Sequence, residues 1–173
     1  NVINWFPDKQ IPADILDRLA KYGTGLHNVI AKTTTGQKTR IQRKYRARVE
    51  SLTEWMKEFG YTTVHSEFSV NYDIPCSFEP RGFRGTLDAV VQNREGELEL
   101  WDYKSGKFYL RHELQLAAYK LGFTYTTGKF ITRLQLIRPT KEGISFQEIP
   151  DRRDEFLNLL DWYYKIHERI ATK

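Results

Sequence analysis

Apolar residues recur at helical spacing over several stretches of the chain, and the longest such stripe runs from about 38 to 59. Steps of three or four residues separate its apolar positions, so they lie on one face of a helix. The stripe consists of Ile41, Tyr45, Val49, Leu52, Met56 and Phe59. Gly60 follows directly and is predicted to cap this helix, since glycine adopts the left-handed conformation of a C-cap without strain.

Four further helical stretches are predicted from the same kind of pattern. Pro12 precedes a short helix over 13–20, and Gly23 and Gly25 are expected to interrupt it before a second short helix around 26–30. A third stretch runs over 111–125. The last, over 151–170, begins with acidic residues that favour the positive end of the helix dipole.

Five segments have the alternating or wholly apolar character of strands. They cover 62–70, 85–91, 98–104, 130–137 and 144–149. The order is therefore helices, three strands, helix, two strands, helix. This order predicts an α/β domain in which helices flank a central mixed β-sheet.

The second and third strands are predicted to form a hairpin around Asn93–Glu97. Gly96 is suited to the left-handed position of a three-residue hairpin loop. If Asn93 pairs with Glu97, then Asp88 lies directly opposite Asp102.

Opposed like charges destabilise a sheet, because directly opposite side chains lie only about 4.5–5.5 Å apart at Cβ. A divalent cation such as Mg²⁺ or Mn²⁺ converts that repulsion into coordination by hard oxygen ligands. Side chains alternate along a strand, so Lys104 shares the face of Asp102. The alternative is a pair of solvated aspartates near strand ends, one of them paired with the lysine.

The composition sets limits on the fold and its setting. A length of 173 residues predicts one domain, and a charged fraction of 28% without a long apolar run excludes a transmembrane span. A single cysteine, Cys76, excludes an internal disulfide and an iron–sulfur cluster held by four cysteines of one chain. We expect an intracellular protein of a bacterium or phage-infected cell, or of a mitochondrion if a targeting segment has been removed.

Positive charge is concentrated in one short segment of a chain whose net charge is +5. No acidic residue interrupts this cluster, which is the pattern expected where a protein contacts a phosphate backbone. A solvated helix face is the alternative interpretation. The predicted DNA-binding residues are Lys38, Arg40, Arg43, Lys44 and Arg46.

Four other residues carry possible site chemistry. Gln115 and Tyr119 are four residues apart on the helix after Lys104, so they project from one face and can hydrogen-bond a carboxylate, water or phosphate. Glu67 on the first strand is either a further ligand, a residue that orients the lysine or water, or an exposed strand glutamate. His27 is a candidate ligand, although a lone histidine is more often structural.

In this order and spacing, the motifs resemble those of the PD-(D/E)xK nuclease superfamily, and within it the RecB-type exonuclease branch with its small stand-alone phage and mitochondrial members. The resemblance covers about 20–140 and leaves the helix at about 151–171 outside the core motifs. The matching segments are Gly23–His27, Glu67, Gly85–Asp88, Asp102–Gly106 and Gln115–Tyr119.

The resemblance implies a restriction-endonuclease-like core and a single nuclease domain over 1–173 that hydrolyses DNA with Mg²⁺ or Mn²⁺. Lys104 would orient or activate the attacking water, and no iron–sulfur cluster is expected. The implied metal ligands are His27, Asp88, Asp102 and the carbonyl of Tyr103. The implied catalytic set is Glu67, Asp88, Asp102, Lys104, Gln115 and Tyr119.

Three functions are compatible with these residues. We favour an exonuclease that acts on single-stranded DNA or on DNA ends. A structure-specific endonuclease for flap or branched DNA shares the same chemistry and differs only in how the substrate enters. A non-catalytic DNA-binding module is disfavoured, because every implied ligand and the lysine are present.

Overall fold

The computed structural model describes residues 12–74 and 82–171, with side chains described up to 167. The four helices of this part are α1 (Ala13–Thr34), α2 (Arg43–Phe59), α3 (Leu110–Thr127) and α4 (Arg153–Ala171). The five strands are β1 (Thr62–Asp73), β2 (Gly82–Gln92), β3 (Leu98–Tyr103), β4 (Arg133–Pro139) and β5 (Ile144–Ile149). None of these helices is long and apolar enough to cross a membrane.

The five strands form one mixed sheet in the order β1-β2-β3-β4-β5. The β3–β4 pair is parallel, because α3 connects these strands as a crossover, and the other pairs are antiparallel. This confirms the predicted α/β class: a five-stranded mixed sheet flanked by four helices, consistent with a restriction-endonuclease-like fold.

The two faces of the sheet bury separate layers of side chains, because successive residues of a strand point to opposite faces. On one face, α1 and α2 pack over Ala89, Val91 and Trp101. On the other face, α3 packs over residues that include Val90 and Leu100. The α4 helix packs on the outer side of α3. The carboxyl end of β3 therefore lies between the two helical layers.

The predicted interruption at Gly23 and Gly25 is wrong, since α1 is one continuous helix. A Cβ at position 25 would collide with the hydroxyl of Tyr45 on α2. Glycine here thus allows close contact between two helices, and that packing outweighs a helix-propensity penalty of about 1 kcal/mol. The continuity matters for function, because it places His27 on a rigid element.

The second helix begins later than the apolar stripe predicted. It starts at Arg43, after Gln42 in extended conformation, and the preceding segment from Lys38 has no helical structure. Ile41 keeps its place in the apolar stripe because it packs against the core from this extended segment. The predicted cap is confirmed, since Gly60 ends the helix with a left-handed φ of 71°.

The predicted hairpin register is confirmed. Val90 pairs with Leu100 and Val91 with Glu99, as the pairing of Asn93 with Glu97 requires. Gly96 has the expected positive φ of 84°. The first strand extends to Asp73, three residues past its predicted end, and β4 is shifted toward Pro139. Residues 75–81, which include Cys76, lie outside the described part of the chain.

Candidate active site

Asp88 and Asp102 meet where β2 and β3 diverge at one end of the sheet. The last β2–β3 pair is Ala89 with Trp101, so the two aspartates are the next opposed positions. Asp88 Oδ2 accepts a hydrogen bond of 2.7 Å from the backbone N–H of Tyr103. This bond replaces the next rung of the ladder and fixes the Asp88 carboxylate against the end of β3.

His27 approaches the same carboxylate from α1. Its Nδ1 lies 3.3 Å from Asp88 Oδ1, and its ring contacts the Tyr103 ring edge-on. The buried neighbours Leu26 and Ile30 hold this turn of α1 on the sheet. Burial alone would lower the pKa of His27, but its hydrogen bond to Asp88 and the negative charges around it leave the pKa raised.

Glu67 completes a row of three acidic side chains across β1, β2 and β3. The pairs that flank it place it opposite Asp88. Its φ of 49° is left-handed, which is uncommon for a residue other than glycine and marks local strain of the kind found at functional sites. Ligand atoms of His27, Glu67 and Asp88 all lie within 4.8 Å of one another. Burial, then the charge of Asp88, raises the pKa of Glu67.

Asp102 and Lys104 form an ion pair at the centre of the site. Lys104 Nζ lies 2.6 Å from Asp102 Oδ2, and the Asp102 side chain is 2% exposed. Burial and the repulsion of Asp88 raise the pKa of Asp102 to about 7, against the opposing attraction of Lys104. The site therefore holds more negative charge than its own lysine neutralises.

The α3 helix contributes a hydrogen-bonded relay on the other side of the lysine. Lys104 Nζ donates to Gln115 Oε1 over 3.4 Å, and Gln115 Nε2 donates to the Tyr119 hydroxyl over 2.9 Å. Burial raises the pKa of Tyr119. A Cβ at Gly85 would lie only 2.7 Å from the Tyr119 ring, so glycine at this strand position makes room for the relay.

The sequence over residues 7–173 matches the family model of the PD-(D/E)XK nuclease superfamily. The chain belongs to this superfamily. Its members use divalent metals to hydrolyse nucleic acids, so membership implies a metal-dependent nuclease and agrees with the cluster of metal-ligating side chains around Asp88.

Among solved structures, this chain is matched to the one titled crystal structure of SSO0001. The two chains are 14% identical, and the alignment covers 80% of this chain and 82% of that chain with a TM-score of 0.45. No curated protein sequence matches this superfamily member.

Tyr103 contributes its backbone to the site of this nuclease and its side chain to the core. Its backbone lies between Asp102 and Lys104, and its amide is bound to Asp88. Its side chain is buried with α1 and α2, and burial raises the pKa of its hydroxyl. A metal-bound carbonyl at this position would thus be held on a rigid backbone.

The predicted DNA-binding residues lie outside the carboxylate cluster. Arg43, Lys44 and Arg46 stand exposed in the first turn of α2, and Lys38 and Arg40 precede it. Tyr22 of α1 donates a hydrogen bond of 3.4 Å to the Lys44 carbonyl. These contacts anchor the start of α2 on the helix that carries His27.

Sequence analysis missed one cationic residue that the fold brings close. Arg138 is the neighbour of Lys104 across the parallel β3–β4 pair, since Tyr103 pairs with Ile137 and the Lys104 N–H donates to the Ile137 carbonyl over 2.8 Å. No local motif marks this residue. The general rule that parallel strands bring their carboxyl ends to one edge was the only available signal.

Proposed function

We propose that this nuclease is a Mg²⁺- or Mn²⁺-dependent deoxyribonuclease of the RecB-type branch, acting as an exonuclease on single-stranded DNA or on DNA ends. One observation carries the chemical part of the proposal. A histidine and two carboxylates, those of Glu67 and Asp88, lie at ligand spacing, and the carboxylate of Asp102 on the neighbouring strand forms an ion pair with Lys104.

The donor set fits a hard divalent cation. Imidazole and carboxylate groups already lie at ligand spacing, and burial, followed by the negative charge of Asp88, raises the pKa values of Glu67 and Asp102. A bound cation would supply Lewis-acid activation of water and neutralise charge on the phosphoryl group. We assign its binding to His27, Asp88, Asp102 and the Tyr103 carbonyl, with Glu67 as a further donor.

Lys104 is proposed to orient the attacking water and to stabilise the negative charge that develops on the phosphoryl oxygens. Its ammonium group is held from two sides, by the carboxylate of Asp102 and the amide oxygen of Gln115. A cation fixed in this way needs little reorganisation during the reaction, which is the basis of electrostatic catalysis. Tyr119 orients Gln115 by hydrogen bonding its amide nitrogen.

The proposal is tested by incubating end-labelled linear single-stranded DNA with the protein and Mg²⁺ or Mn²⁺. We expect mononucleotides or short products from wild type and none from Asp102→Ala. Intact DNA with both metals, or equal digestion by Asp102→Ala, would contradict the proposal.

The alternative of a structure-specific endonuclease is tested with a covalently closed single-stranded circle and with flap substrates. An exonuclease leaves the circle intact, because the circle offers no end. Cleavage of the circle, or cleavage of a flap only at its junction, would favour the endonuclease.

The basic segment over 38–46 is proposed to border the DNA path. Replacing Arg40, Arg43 and Lys44 with alanine should weaken binding of single-stranded DNA and reduce the slope of log K against log salt by about 2, since each phosphate contact to a single strand contributes roughly 0.7. An unchanged slope would refute this placement.

We also propose that residues 1–173 form one nuclease domain, with α4 as a support for α3 rather than a part of the site. Packing of Phe156 and Leu160 against Ala117 and Ala118 supports that role. We also propose that the protein acts inside a cell.

A further inference from the structure

Arg138 lies on the same face of the sheet as Lys104, because residues paired across neighbouring strands share a face. The guanidinium does not turn toward the aspartates. It extends toward β5, where its Nη2 donates to Ser145 Oγ over 3.2 Å. Arg138 is thus displaced from the reacting centre by about one strand spacing, roughly 5 Å.

The guanidinium of Arg138 has unused binding capacity. Its Cζ lies 5.5 Å from the centre of the Phe108 ring, and its buried Nε has no hydrogen-bond acceptor among the described residues. Within the same residues, no carboxylate lies at ion-pair distance from it. Because Nε is buried, an oxyanion such as phosphate would bind this half-buried guanidinium at its terminal nitrogens.

Tyr109 follows Phe108 in the chain and is the N-cap residue of α3. Its side chain is 48% exposed, although its backbone N–H is fixed by a 3.2 Å hydrogen bond to His112 Nδ1. The Arg111 guanidinium lies 4.9 Å from the centre of the Tyr109 ring. A rigidly mounted, exposed aromatic ring beside a cation is the arrangement that stacks unpaired bases.

The surrounding charge favours an anionic partner. The segment 105–112 contains Lys107 and Arg111 and no acidic residue. Tyr109 precedes Gln115 by six residues, about 9 Å along a helix axis at 1.5 Å per residue. The ring is therefore within one or two nucleotides of the lysine that Gln115 contacts.

We propose that Arg138 and Tyr109 form a second contact surface for single-stranded nucleic acid, in which Arg138 binds the backbone phosphate next to the hydrolysed one and Tyr109 stacks on an unpaired base. This surface lies on the α3 side of the sheet, whereas the basic segment lies on the α2 side. The strand would pass across the sheet end from one to the other. The inference rests on the proposed nuclease function and specifies an unpaired strand as the substrate at this site.

The test measures binding rather than hydrolysis, with metal removed by a chelator. Fluorescent oligothymidylate is compared with an oligomer of equal length in which the central nucleotides are abasic. Wild type should bind the base-containing oligomer more tightly, and Tyr109→Ala should lose about 5- to 100-fold in affinity for it and little for the abasic oligomer. Tyr109→Phe should restore the preference.

The arginine is tested by salt dependence. Arg138→Gln should weaken binding of both oligomers and reduce the salt slope by roughly 0.7, the contribution of one phosphate on a single strand, while Arg138→Lys should retain most of the slope. An unchanged slope in Arg138→Gln would overturn the phosphate contact.

Phe130→Ala serves as the matched aromatic control, because Phe130 is 79% exposed and precedes β4 at the opposite end of the strand. It should bind both oligomers like wild type. Equal losses from Phe130→Ala and Tyr109→Ala, or no preference of wild type for bases, would overturn the stacking contact.

The outcome is separable from that of the proposed function. Binding that follows these predictions, without hydrolysis in Mg²⁺ or Mn²⁺, would leave the contact surface standing and reject the nuclease proposal. Hydrolysis that proceeds normally in a Tyr109→Ala protein with unchanged affinity would reject the contact surface alone.

Discussion

Glu99 and Asp102 are buried carboxylates only three residues apart on β3, but their surroundings differ. Glu99 has no exposed surface, yet four side chains surround its carboxylate with donors. The Trp101 indole and the Gln135 amide donate to Oε2 over 3.0 and 2.8 Å. The other two partners are Asn93 and Arg133.

Asp102 is equally buried but poorly compensated. It lies opposite the like charge of Asp88, and one ammonium, that of Lys104, is its ion-pair partner. Its pKa is raised to about 7, chiefly by burial and then by Asp88. A satisfied carboxylate at one end of the strand stabilises the fold, whereas the poorly compensated carboxylate at the other end is typical of a functional site.

The largest expected difference between the Asp102 end and the Glu99 end of β3 is in their effect on the rate of DNA hydrolysis. Lys104→Ala should lower the rate of DNA hydrolysis by at least about 100-fold, since it removes the cation nearest the reacting centre. Lys129→Ala, at the opposite end of the molecule, should keep the wild-type rate. The measurement is single-turnover cleavage of labelled DNA, with circular dichroism to show that each variant is folded. A fully active Lys104→Ala protein would remove the lysine from the mechanism.

Glu99 should show the reverse behaviour. Glu99→Ala should reduce the free energy of unfolding by about 3 kcal/mol, because it leaves several buried donors and the Arg133 charge without their acceptor. Glu97→Ala, the exposed partner of Arg133, should cost less than about 1 kcal/mol.

Urea unfolding measures the free energy of unfolding of both variants. The folded fraction of Glu99→Ala should still cleave DNA at the wild-type rate. Loss of cleavage in that folded fraction would mean that the two ends of β3 are functionally coupled, and the comparison would fail.

Metal binding should stabilise the protein through the carboxylates at the Asp102 end of β3. A divalent cation at 100 times its dissociation constant should raise the free energy of unfolding of wild type by about 2.7 kcal/mol. Asp88→Asn should lose most of this increment, while its amide oxygen can still accept the Tyr103 N–H. Glu95→Gln in the hairpin loop should retain it. Calorimetric melts with Mg²⁺ and Mn²⁺ provide the measurement, and equal stabilisation of all three proteins would place the metal elsewhere.

The smallest expected effect is the dependence of stability on pH without metal. The folded-state pKa of Asp102, about 7, lies above its unfolded value of 3.8, so the folded protein retains a proton that the unfolded chain has lost. Stability from this group should be complete below pH 3.8 and be lost as pH rises through about 7. Asp102→Asn should flatten that part of the profile, measured by urea unfolding at several pH values. A wild-type profile rising across this window would contradict the assignment.

Local sequence determined much of this protein. Alternation and turn chemistry predicted the hairpin register, and that register alone placed Asp88 opposite Asp102. Hydrophobic periodicity predicted the stripe of α2 and its cap at Gly60. These features follow from contacts between residues close in the chain, where spacing and side-chain direction are tightly linked.

Tertiary structure decided what depends on distant residues. The hydroxyl of Tyr45 explains why Gly25 does not break α1, and no local sequence pattern predicted the left-handed backbone of Glu67. Arg138 joined Lys104 only through a parallel pairing across a helical crossover. Sequence spacing holds no record of such approaches, since they arise from packing of whole elements rather than from local geometry.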